Sequence, residues 1–191
     1  KLQGDGTEYD GNIAATLTAG EWSGKFSFNI EFKASSGPTL PAKASFNDMS
    51  WADISTVSEA GKAPEYFSVG DEKELQIGSE THHVQILGFN HDDKSDGSGK
   101  AGITVGLKEV MTTTAPMNDT DTNVGGWKDS KMRTYLNETI HNNLPSDLQA
   151  VIKTVNKISD NGYKDHTTLN TTQDKLFLLS FEEVGFTTSD D

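Results

Sequence analysis

The stretch from Tyr66 to Val184 sets short strand-like runs, a Gly/Asp-rich loop, two helical repeats and one unbroken apolar run in succession, an order that suits a mixed α+β domain and little else. Tyr66 to Val69, Glu74 to Ile77 and Val84 to Phe89 are runs of strand length, parted by the turn signals Gly70-Asp71 and Gly78-Ser79, and predict an antiparallel meander. After the polar, glycine-rich loop Asn90 to Gly102, a strand resumes over Ile103 to Leu107. Met132, Tyr135, Leu136 and Ile140 then fall on one helical face, with Asp129 or Ser130 placed to cap it, and predict a helix over Ser130 to Asn143. Leu148, Val151, Ile152 and Val155 repeat that spacing behind Ser146 and predict a second helix to Lys157, stopped by Asp160-Asn161-Gly162. Leu176-Phe177-Leu178-Leu179 lacks any polar alternation, as in a strand covered on both faces, and is expected at the centre of the sheet.

Upstream, Trp51, Ile54 and Val57 recur at helical spacing behind Ser50 and predict a short helix ending at Gly61. Ala34 to Ser45 carries Pro38, Pro41 and several small residues and reads as a linker. Before it, Phe26, Phe28, Ile30 and Phe32 alternate with polar residues from Trp22 onward, the pattern of a strand with one buried face. The expected organisation is a β-rich segment over 1–33, a linker over 34–45 and an α+β domain over 46–191.

Charge narrows the partners. With 29 acidic against 16 basic residues in 191, the net charge is −13 and the pI about 4.7, so nucleic acid and anionic bilayers are repelled. No apolar run approaches the roughly 20 residues of a spanning helix, so no membrane insertion by this chain is expected. The absence of cysteine excludes disulfides, Cys-ligated zinc and thiol nucleophiles. A first residue of Lys1 rather than Met gives the expectation of a chain cut after a signal segment.

The densest set of ligand-type side chains is His82, His83, His91, Asp92, Asp93 and Asp96. His82 and His83 are adjacent on a strand and point to opposite faces, so a metal would combine one of them with His91. Asp92 to Gly97 partly matches a calcium loop, but Lys94 stands where an oxygen ligand is needed. Solvated acidic turns are the simpler reading, and no metal or cofactor is expected. His91 is expected to hold the strand-to-loop corner with Asn90. Gly97, Gly99 and Gly102 match the dinucleotide fingerprint but lead into a strand, where no helix N-terminus meets a phosphate. Asn118, Asn137 and Asn170 head sequons by pattern; the loop Asn118 to Gly126, with Asp119 and Asp121, is expected to bond its own backbone, and Trp127 to pack under the helix pair. There is no G-x-S-x-G and no H-E-x-x-H, and Glu182-Glu183 read as a helix N-terminal turn, so no catalytic residue is assigned.

The blocks Tyr66 to Asp71 (YFSVGD), Ile86 to Asp93 (ILGFNHDD), Gly126-Trp127 with Ser130 to Asn137 (SKMRTYLN), Leu144 to Leu148 (LPSDL) and Lys175 to Ser180 (KLFLLS) resemble a bacterial domain family of unknown function found in surface and prophage-encoded proteins of Gram-positive gut bacteria. Ser50 to Pro64 resembles its lead-in, and Leu17 to Phe32 resembles the last strands of β-sandwich modules in exported surface proteins. The family pattern is similar to C-type-lectin-like folds and continues past the LLS run into a Trp-Trp-x-Arg-Ser segment; Phe186 to Asp191 do not match it, so a domain lacking that C-terminal part is expected. The resemblance implies a non-catalytic, extracellular adhesion or recognition module on a bacterial cell surface, with a host or cell-surface glycan or protein as partner. Asn90, His91, Asp92, Asp93, Asp119, Asp121 and Trp127, on the two polar loops and their edges, are the candidate ligand-binding residues. The alternatives are a metal-dependent enzyme centred on His91, Asp92 and Asp93, and a spacer domain; an apolar groove of ligand size would argue against the spacer.

Overall fold

A computed structural model describes residues 2–4, 7–9, 39–180 and 182–185. The chain divides into two units, Lys1–Ser35 and Ser36–Asp191. In the first, strands β1 (Leu2–Gly4) and β2 (Thr7–Tyr9) pair antiparallel, with Leu2 opposite Tyr9. The strand expected over Trp22 to Phe32 lies outside the described residues, as do Phe186 to Asp191.

The second unit is of the α+β class. Helix α1 (Trp51–Glu59) starts where Ser50 Oγ accepts from the Asp53 amide at 3.1 Å, and Gly61, at φ +70°, closes it. Its inner stripe, Trp51, Ile54 and Val57, is buried. Helix α2 (Ala63–Tyr66) replaces the strand expected at Tyr66 to Val69, because Pro64 in its first turn has its φ already set for a helix. Tyr66 then anchors through its hydroxyl, which donates to the Pro41 carbonyl at 2.8 Å.

Strands β3 (Glu72–Ile77), β4 (Glu80–Phe89) and β5 (Ile103–Leu107) form an antiparallel sheet in that order, so β4 is its centre. Alternation along β4 buries His82, Val84 and Ile86 and leaves His83, Gln85 and Leu87 on the other face, as the strand period requires. Against the buried face sit α1, with Phe46 edge-on to Trp51 and Phe67, and a helical layer contributing Ile140, Leu144 and Leu148.

That layer begins with α3 (Gly126–Asp129) and α4 (Lys131–Thr134), the latter capped by Ser130 Oγ accepting from the Arg133 amide at 3.1 Å. It widens into a π-helical segment over Tyr135–Ile140. Asn137 sits in that segment and is fully engaged: its Nδ2 donates to the Arg133 and Leu176 carbonyls, and its Oδ1 accepts from the Lys175 and Leu176 amides. Helix α5 (Ser146–Val151) is shorter than expected, and Ser146 opens it without the expected side-chain cap. The chain turns extended at Ile152, and Val155–Asp160 is strand β6, paired antiparallel with β7 (Leu169–Asp174). Val155 satisfies both a helical and a strand pattern; the β-branched set Val151, Ile152, Thr154 and Val155, with a partner strand on hand, decides for the strand. Leu176 to Leu179 form no strand: Leu176 and Phe177 are half-buried, and Leu178 and Leu179 are exposed.

Candidate functional site

The expected ligand loops resolve into separate, internally paired structures. Asn90 turns the chain out of β4 at φ +53°, a left-handed conformation that asparagine tolerates, and its amide donates to the Gly102 carbonyl at 3.2 Å. His91 is 58% exposed, while Asp92 turns inward and is buried. Asp93 pairs outward with Lys100 at 2.9 Å, and Asp96 accepts the Ser98 amide at 2.9 Å, so the acids of the calcium-like run diverge. Gly97 and Gly99, at φ +74° and +104°, shape a hairpin that leads into strand β5 rather than into a helix. His82 bonds Glu80 at 3.1 Å on the buried face, His83 faces Glu109 on the other, and neither joins His91.

The group that does gather around Asp92 was not foreseen in full. His91, Asp92 and Glu183 each bring a ligand-type atom within 4.8 Å of the others, the spacing of a cation site. The cation held there is the Lys157 ammonium, 2.9 Å from Asp92 Oδ1, 2.5 Å from Glu183 Oε1 and 4.1 Å from the Phe177 ring centre. Thr104 donates to Asp92 Oδ2 at 2.8 Å. A metal ion would have to displace an ammonium already bonded to both carboxylates. Burial, the largest influence on each group, favours its neutral form. The hydrogen bonds and charges of the cluster outweigh it, leaving Asp92 and Glu183 below the ordinary carboxylate range and Lys157 above the ordinary lysine value. Glu183 lies in a turn whose first residue, Ser180, exchanges hydrogen bonds with it in the manner of a cap.

On the second loop, Asp119 is exposed and ion-paired with Lys131, and Asp121 is exposed. Asn118 holds the loop by donating to the Thr122 carbonyl and accepting from the Lys131 amide, the self-bonding that its composition suggests. Trp127 is half-buried, and its indole N–H donates to Asp174 Oδ2 at 2.9 Å. Asp174 is buried and also receives Arg133 Nε at 2.6 Å and Thr172 Oγ1 at 2.6 Å, which ties α3 and α4 to β7.

A large opening lies elsewhere. An apolar cleft of about 770 Å³ runs between β5, the π-helical segment with α5, and Leu176 to Leu179. Val105 and Leu107 share a sheet face with the buried Ile86 and Val84, yet are 37% and 39% exposed. Lys108 N–H donates to the His83 carbonyl and Asn90 N–H to the Gly102 carbonyl, so the main-chain groups of Ile103, Val105 and Leu107 turn away from β4. Among the described residues no strand pairs with that outer edge.

A family model described as a domain of unknown function (DUF6273) matches residues 102–191. The similar region carries β5, the helical layer, β6, β7 and the turn with Glu183; Asp92 falls before it. No curated protein and no solved structure matches the chain.

Sequence reasoning missed Lys157, Glu183 and Asp174 as organising charges, and β5 as an edge. Lys157 was masked by the helix reading of its segment; the alternation of Val155, Lys157 and Ser159 against Asn156 and Ile158 is the signal that places it on an inward strand face.

Proposed function

We propose that the chain is a non-catalytic recognition module of a bacterial surface protein, and that it takes an extended polypeptide segment of a partner along β5. The observation that carries this reading is the cleft beside a strand edge that no strand among the described residues pairs with. An added strand would satisfy the outward main-chain groups of Ile103, Val105 and Leu107 while alternate apolar side chains enter the cleft. The volume lies within the range of ligand sites, which counts against a pure spacer. The net charge of −13 selects for partner segments with neutral or basic flanks. The two polar loops support a glycan less well, because most of their candidate side chains are engaged within the chain. The cluster at Asp92 supports a metal-dependent enzyme less well, because lysine fills its centre. Extracellular location and the lectin-like relationship belong to the same proposal and rest on the sequence resemblance.

Panning a displayed random-peptide library against the whole chain tests it. Enrichment of peptides with alternating apolar residues that lose binding to Leu107→Asp is expected. Absence of enrichment, or enriched peptides indifferent to Leu107→Asp, contradicts it.

A further inference from the structure

We propose that Lys157, Asp92 and Glu183 form a self-acting cross-linking site, in which the Lys157 amine condenses with the Asp92 carboxyl to give an intramolecular isopeptide bond and one water. The backbone sets the pair face to face. Lys94 bridges Val155 and the Asn156 amide donates to the Asp93 carbonyl at 2.8 Å, so the next residues in this antiparallel register are Asp92 and Lys157. Lys157 Nζ lies 2.9 Å from Asp92 Oδ1, adjacent to the carboxyl carbon it would attack. Both side chains are largely buried, at 13% and 5% exposure, and the Phe177 ring covers the amine.

The remaining groups supply what amide formation requires. The resting pair is ionic; the reaction draws on the neutral amine and acid made when one ammonium proton crosses to Oδ1, the form that burial favours. The amine lone pair then forms the C–N bond, and the charge on Oδ2 meets the Thr104 hydroxyl, which donates to that atom at 2.8 Å. Glu183 Oε1, 2.5 Å from Nζ, takes the second nitrogen proton and returns it to the Oδ1 hydroxyl. The C–Oδ1 bond breaks, water leaves and the amide carbonyl reforms. No oxidant or co-reactant enters. The link would give a cysteine-free chain a covalent tie across positions 65 apart in sequence.

Intact-mass spectrometry of the full chain reads the outcome directly. The wild type is expected one water lighter than its sequence, with tryptic fragments containing Asp92 and Lys157 joined, and Lys157→Arg and Glu183→Gln at full sequence mass. A wild-type mass equal to the sequence overturns the proposal. A water loss that survives Lys157→Arg also overturns it, as a succinimide at Asp96-Gly97 would produce.

Discussion

The Asp92 corner and the β5 cleft treat their exposed chemistry in opposite ways. At the corner a lysine, two carboxylates, a threonine and a histidine are bonded to one another, and three of the charges are drawn largely out of solvent. At the cleft Val105, Leu107, Leu178 and Leu179 stay exposed beside main-chain groups that no described strand meets. Burying an unpaired charge is expensive enough that folding must answer it within the chain. Exposing a few apolar side chains is tolerated residue by residue, but a contiguous apolar opening marks a surface completed by something else. A conspicuous cluster of acids and histidines can thus be structural, while the proposed recognition surface lies among ordinary aliphatic residues.

Unbalancing the corner is expected to have the largest effect. Relative to the ionic, unlinked chain, Lys157→Met leaves Asp92 and Glu183 facing each other without their cation and is expected to destabilise the fold by about 3 kcal/mol, near the lower end for breaking a buried pair because solvent reaches its rim. Denaturant unfolding measures this, and peptide binding at the cleft is expected to persist in the folded fraction. Next in size is an edge substitution. Leu107→Asp is expected to weaken a cleft-binding peptide by more than about tenfold, or about 1.4 kcal/mol, in calorimetry. Its own stability is expected to change by about 1 kcal/mol or less, since Leu107 is 39% exposed.

Acid sharpens the same contrast. In the ionic state, before the proposed link forms, Asp92 and Glu183 have folded pKa values below their ordinary 3.8 and 4.5, so the stability they contribute is complete above those values and is lost as pH falls through the lower, folded ones. Unfolding free energy is therefore expected to fall as pH drops below about 4.5, and Lys157→Met to show a shallower acid limb, because its carboxylates lose the partner that depresses them. In that unlinked state Lys157, raised above 10.5, contributes stability below that value and loses it only as pH rises through its higher folded pKa. The smallest effect belongs to His91→Ala: at 58% exposure the histidine is expected to change stability by about 0.5 kcal/mol or less, with no change in metal content by elemental analysis.

Much of the fold was legible where local signals agreed. Ser50 and Ser130 cap the helices their positions announce, Gly78-Ser79 joins β3 to β4, and the opposite faces of His82 and His83 follow from the strand period. Legibility failed where one residue served two patterns, as Val155 did, and where a run was judged by apolarity alone, as Leu176 to Leu179 was. The corner was half legible: Asp92 stood out by composition, but its partners Lys157 and Glu183 lie 65 and 91 positions along the chain, and only tertiary structure brings them together. Trp127 was legible as a packed residue but not as a donor to Asp174, a contact spanning 47 positions. The cleft could not be read at all, because an aliphatic strand has the same pattern whether its edge is paired or open.

Amide hydrogen exchange with and without an enriched peptide reads strand addition at β5 residue by residue, because the amides of Ile103, Val105 and Leu107 point away from β4. Slowed exchange at those three positions, with the amides of Asn118 to Gly126 unchanged, is the predicted result. Protection confined to the loops at Asn90 to Gly102 or Asn118 to Gly126, with the β5 edge unchanged, would contradict recognition through the cleft.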